Sequence, residues 1–152
     1  MDAVPVLQFQ DRADWGRYRE LGPFQASVFE DLLARAWDLF DGPPEAHLDI
    51  VWMGGAEHDR LHATALDDPT PTDVITFPYG DPDLFGEIVV NLDMAARQAE
   101  ERGIPMAEEV ALYVVHGALH LLGLDDATER QRIAMRAAET KVLGRESRGT
   151  SG

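Results

Sequence analysis

The sequence predicts one domain that mixes helices with strands, on three observations. Short β-branched runs alternate with longer stretches of helical period. Proline and glycine clusters punctuate these elements without parting the chain into halves. And 152 residues with 45% hydrophobic and 8% aromatic side chains suit a chain with one core. The domain is read as 1–152, with its core over about 4–143.

Taken in order, residues 4–10 (VPVLQFQ) read as a first strand. Over Phe24–Phe40 the residues Phe24, Val28, Leu32, Ala36 and Leu39 recur near helical spacing, and Asp41-Gly42-Pro43-Pro44 stops that helix. In His47–Met53, Leu48, Ile50 and Trp52 alternate with His47, Asp49 and Val51, as in a half-buried strand that ends at Gly54-Gly55. Glu57–Leu66 reads as a short helix, because Asp67, Asp68, Pro69 and Pro71 forbid its continuation. Val74–Tyr79 and Glu87–Asn91 are β-branched runs joined by GDPDLFG, a hairpin with a wide loop. Leu92–Arg102 is an amphipathic helix closed by Gly103, and Pro105 heads the next one.

Charge and composition exclude several classes of function. With 28 acidic and 13 basic residues the formal charge is −15, the wrong sign for coating nucleic acid by bulk attraction. From Arg130 to Arg148, however, six basic residues stand against two acidic ones, so the remainder carries 7 basic and 26 acidic, or −19. That stretch reads either as a solvated helix face or as a phosphate-contacting edge. The absence of cysteine excludes disulfides, a thiolate nucleophile and cysteine metal sites, and leaves histidine and carboxylate as the available ligands. MDAVPVLQFQDRADW has no basic, apolar leader and no stretch reaches membrane-spanning length, so a soluble cytoplasmic protein without membrane partners is expected. There is no phosphate-binding G-x-x-x-x-G-K-[ST] run, serine elbow or aromatic RNA-binding motif.

The chemistry concentrates in the helix after Pro105, MAEEVALYVVHGALHLL, which is apolar almost all round and is expected to be central and buried. His116 and His120, four apart, project from one face on successive turns. Gly123 permits a left-handed exit, after which Leu124-Asp125-Asp126 can bring a third ligand to that face. The competing reading makes Asp126 only the N-cap of a following helix, with Glu129 at the capping-box position. Two histidines at ligand spacing on an apolar helix favour the metal, since each buried polar ring costs roughly 1–3 kcal/mol unless partnered. Compared with the metalloprotease pattern H-E-x-x-H-x-x-G-x-x-H, the segment HGALHLLGLDD keeps the spacing and the glycine. Gly117 replaces the glutamate base of that pattern, and Asp126 its third histidine.

HGALHLLGLDD resembles instead H-G-x-L-H-L-x-G-Y-D-H, the signature of the YbeY endoribonuclease family of bacterial rRNA maturation factors. His116, Gly117, Leu119, His120, Leu121, Gly123 and Asp125 match it. PTDVITF (Pro71–Phe77) is similar to the family's P-T-D-V-L-S-F, and GEIVVN (Gly86–Asn91) to its G-D-I-V-I-S. The resemblance implies an α+β fold, a small mixed β-sheet of about four strands covered by helices, with a zincin-like central metal-binding helix. It implies one zinc ion and a metal-dependent single-strand endoribonuclease acting on rRNA at the ribosome, not on DNA, in the bacterial cytoplasm. His116, His120 and Asp126 are then the metal ligands. Two departures stand out. Asp126 takes the place of the third histidine; a carboxylate is an acceptable ligand, but it makes the ion less electrophilic and admits iron or manganese more readily. Leu66 stands where the family carries an arginine for the substrate phosphate, and Arg60 would compensate only if its helix turned it inward.

Other residues carry weaker signals. Asp125 reads as a turn former or as an orienter of a ligand histidine, and Asp73 as support for the site or a strand-initiating cap. His58 and His62 are four apart in a more polar segment and read as surface histidines, while Asp81 and Asp83 read as a turn. Besides the RNA hydrolase, two functional classes are open: a metallopeptidase-like hydrolase with a relocated base, and a non-catalytic ribosome-associated factor with a structural metal.

Overall fold

A computed structural model describes residues 4–13, 26–81, 83–145, 147 and 149–150. Among them the chain runs β1 (Val6–Arg12), α1 (Ala26–Leu39), β2 (His47–Met53), α2 (Gly55–Leu66), β3 (Val74–Pro78), β4 (Gly86–Asn91), α3 (Leu92–Arg102), α4 (Met106–Leu121) and α5 (Glu129–Leu143). The four strands form one mixed sheet in the order β1-β2-β4-β3. β1, β2 and β4 are parallel, and β3 returns antiparallel on β4 through the hairpin expected from the sequence. The fold class is therefore the α+β arrangement that the resemblance implies.

Strand alternation sorts the apolar residues to two faces. Leu48, Ile50, Trp52, Val74, Ile88 and Val90 face α1, α3, α4 and α5 in the main core. Val51, Met53, Ile75 and Val89 face the other way, with Leu61 and Phe77 packed on them, beneath α2. Each aliphatic side chain so buried is worth about 1.5–3 kcal/mol of transfer free energy. Twelve of the sixteen residues of α4 are buried, as an all-round apolar helix requires. It lies close over β3 and β4 because Gly117 has no side chain: a Cβ there would stand 2.8 Å from Ile88 Cγ2 and 3.0 Å from Thr76 Cγ2.

Three local expectations are corrected. The first strand is Val6–Arg12, two residues later than 4–10, because its parallel register runs from Val6↔His47 to Arg12↔Met53. α1 buries Phe29, Leu33, Ala36 and Trp37, while Val28 and Leu39 are exposed; Phe24 lies outside the described residues. The inward face is set by the two large aromatics, which bury more area than the Val28–Leu39 stripe offers. The cap of α5 is Thr128, whose hydroxyl accepts from Gln131 N while the Gln131 side chain accepts from Thr128 N. That capping box leaves the Asp126 carboxylate free of the N-cap role. No helix among the described residues is long and apolar enough to cross a membrane.

Candidate metal centre

His116 and His120 leave α4 on successive turns, with ring centroids 4.6 Å apart and planes nearly perpendicular. Gly123, at φ +102°, reverses the chain after Leu122, a conformation that favours glycine. The reversal is sealed by hydrogen bonds from Gly123 N to His120 O and from Leu124 N to Leu119 O. It carries Asp126 back to the helix, where Oδ2 stands 3.3 Å from His116 Nε2 and 3.3 Å from His120 Nε2. The two Nε2 atoms are 3.0 Å apart. Among the described residues this is the only group of three side chains able to hold a metal ion.

The donors fit a small divalent cation. For a tetrahedral ion with ligand bonds of about 2.0–2.1 Å, neighbouring donors stand about 3.3 Å apart. The observed triangle of 3.0, 3.3 and 3.3 Å matches one face of that tetrahedron. Its chemistry is equally suited, since two imidazole nitrogens and one carboxylate oxygen are ligands for zinc, iron or manganese.

Behind the triangle sits Glu139 of α5, fully buried, whose Oε2 accepts a 2.6 Å hydrogen bond from His116 Nδ1. This places the proton on Nδ1 and turns the Nε2 lone pair toward Asp126 and His120, the carboxylate–histidine–metal arrangement. The other Glu139 oxygen accepts from the Ser147 hydroxyl, which itself accepts from Gly149 N. A turn near the C-terminus is thereby tied to a candidate ligand. The sequence reading missed Glu139. What marks it, a carboxylate within the buried stripe of Met135, Ala138 and Val142, is visible only once the helix is packed.

Asp125, which its place beside Asp126 offers as an orienter of a histidine, is exposed, and among the described residues that role falls to Glu139. Asp73 is buried at the head of β3, where its carboxylate acts on His58 and Tyr113, and its carbonyl accepts from Asn91 N. His58 and His62 are not surface residues: both are buried on α2, and His58 Nε2 donates to the Val89 carbonyl at 2.9 Å. Burial holds the His58 imidazole below the usual histidine range, against the pull of Val89, Asp59 and Asp73. Arg60 lines a cleft with Val51, Met53 and Val89, the sheet face opposite α4, so it does not stand in for a cation at position 66, where Leu66 is half exposed. Asp81 and Asp83 form the turn expected of them, with Asp81 Oδ1 accepting from Asp83 N.

Comparison with known proteins gives the family. The family model described as Endoribonuclease YbeY matches residues 21–146. The Endoribonuclease YbeY of Rhodococcus opacus (strain B4) is 37% identical, the alignment covering 77% of this chain and 70% of that protein. That of Clavibacter michiganensis subsp. michiganensis is 35% identical over 76% of this chain and 83% of its own, and that of Kineococcus radiotolerans 40% identical over 66% and 64%. Among solved structures, TM1509 from Thermotoga maritima superposes with a TM-score of 0.59 at 22% identity, covering 91% of this chain and 90% of that one, a likeness of fold.

Proposed function

This chain belongs to the YbeY endoribonuclease family, and from that premise we propose that it is a metal-dependent endoribonuclease of single-stranded RNA whose metal ligands are His116, His120 and Asp126. Its substrate is ribosomal RNA, its place of work the cytoplasm near the ribosome, and its resident ion zinc. Residues 1–152 act as one catalytic domain. The observation that carries the reading is the convergence of three donor atoms at 3.0–3.3 Å in front of a buried carboxylate that orients one of them.

When bound, the ion supplies Lewis acidity toward a phosphoryl oxygen and toward water. The chain's own residues do the rest. Glu139 keeps the Nδ1 proton of His116 in place, so that its Nε2 is held as a donor atom through the reaction. The Gly123 reversal and the Thr128 cap fix the loop that presents Asp126. Asp126, being anionic, cancels part of the ion's charge, which makes the centre a milder acid than three histidines would form.

The peptidase reading is not favoured, for a packing reason. Position 117, where the metalloprotease pattern places its glutamate base, faces Ile88 and Thr76 so closely that any side chain there would force its neighbours to shift. The test is elemental analysis of the purified protein and of Asp126→Ala, followed by RNA cleavage on the same samples. Stoichiometric metal and cleavage, both lost in Asp126→Ala, are expected. Undiminished cleavage by metal-free protein would overturn the reading.

A further inference from the structure

The cleft into which His116 and Asp126 open has a cationic wall. Its lining includes Arg132 and Arg136, one turn apart on the exposed side of α5, with Gly149 and Thr150 closing the end. Arg132 Nη1 donates to the carbonyls of Asp126 at 3.4 Å and Ala127 at 3.1 Å, so its guanidinium is anchored to the loop that carries the candidate ligand. Arg136 lies beside Gly149, its Nε 3.0 Å from the position a Cβ there would take. Among the described residues neither arginine has a carboxylate partner, although the chain has 28 carboxylate side chains to 13 basic ones. Both guanidinium groups are exposed at the cleft beside the candidate metal centre, where an anionic ligand can reach them.

We propose that Arg132 and Arg136 form a phosphate-binding subsite for the RNA strand, gripping the backbone beside the scissile bond. This rests on the endoribonuclease reading and adds to it the residues that hold the substrate. An arginine offers five donors in a planar fork that matches a phosphate, and the anchored Nη1 of Arg132 leaves others for such a contact. Placed one helical turn apart, about 5.4 Å, the two long side chains can each reach one of two successive phosphates. Because the contacts reach backbone and not base edges, they add affinity without sequence preference. They also answer the charge problem of the chain: the formal −15 repels RNA as a whole, and the local excess of cations lies in the stretch that borders the cleft.

The experiment measures steady-state cleavage of a short, unstructured, labelled oligoribonucleotide by the zinc-loaded full chain across a salt series. Wild type is compared with Arg132→Gln/Arg136→Gln, with Arg132→Lys/Arg136→Lys, and with Arg130→Gln, which alters a basic residue outside the cleft lining. The glutamine pair is expected to raise KM on the order of tenfold with kcat within about twofold, and to flatten log(kcat/KM) against log[salt] by about 1.4, or about 0.7 for each phosphate of a single strand left without its cation. The lysine pair is expected to restore most of the slope, and Arg130→Gln to leave KM and slope at wild-type values. Metal content and thermal midpoint are read on every variant. Unchanged KM and slope in the glutamine pair, with wild type active, would overturn this subsite alone. A metal-loaded wild type that cleaves no RNA would overturn the endoribonuclease reading and the subsite with it.

Discussion

Glu139 accepts a 2.6 Å hydrogen bond from Nδ1 of His116 across the interface of α5 and α4, 23 residues away in sequence. The contact links the candidate metal centre to the packing of the last helix, because Glu139 belongs to the same buried stripe as Met135, Ala138 and Val142. Removing that carboxylate frees the ring to rotate and to exchange its tautomer. Glu139→Ala is expected to weaken zinc binding about 10–100-fold, and Glu139→Gln less, since its amide oxygen still accepts from Nδ1. Chelator competition measures the affinities, and equal values for all three proteins would contradict the role assigned to Glu139.

Gly117 is the position at which the helix touches the sheet. Gly117→Ala puts a methyl 2.8 Å from Ile88 Cγ2, so α4 must lift or Ile88 must move. A loss of about 1–3 kcal/mol in urea unfolding is expected, despite alanine's better helix propensity. A stabilised variant would show that the contact is looser than described.

Arg102 and Glu109 form a largely buried ion pair, with Nη1 donating to both carboxylate oxygens at 2.7 and 2.9 Å and Glu109 1% exposed. Arg102→Ala leaves that charge buried and uncompensated, and a destabilisation of about 3–5 kcal/mol is expected. The double variant with Glu109→Gln should recover most of it. Additive losses in the double-mutant cycle would contradict the coupling.

His58 makes stability pH-dependent in a direction that its burial determines. Its folded imidazole is held below the ordinary histidine value of 6.5 by desolvation, so the unfolded chain binds the proton more readily. The stabilising preference for the neutral ring is full above about pH 6.5, and it is lost progressively as the pH falls from there toward the lowered folded value. Urea midpoints should drop with acidification, this one site contributing at most about 1.4 kcal/mol per pH unit. His58→Gln is expected to flatten that part of the profile, and an equally steep acid limb in the variant would assign the effect elsewhere.

How far the site can be read from sequence follows from how local each part is. His116, His120 and Asp126 lie within one helix and the reversal after it, so spacing and a glycine suffice to bring them together. Glu139 escapes such reasoning because it arrives through tertiary packing, and on its own helix it looks like one acid in a basic stretch. The same limit explains the rotated face of α1, where Val28 and Phe29 both satisfy helical spacing and only packing against Phe9 and Trp52 selects Phe29. It also explains His58 and His62, polar by composition yet buried in the fold. The hairpin and the helix end at Gly103 are better marked, the latter because glycine in the left-handed region closes the helix.

The most direct test of the candidate centre is anomalous diffraction at the zinc edge from crystals of the full chain grown with zinc. One strong peak is expected about 2.0–2.2 Å from His116 Nε2, His120 Nε2 and an Asp126 carboxylate oxygen, with Glu139 still bonded to His116 Nδ1. A peak elsewhere, or imidazoles turned apart with Asp126 in bulk solvent, would contradict that assignment.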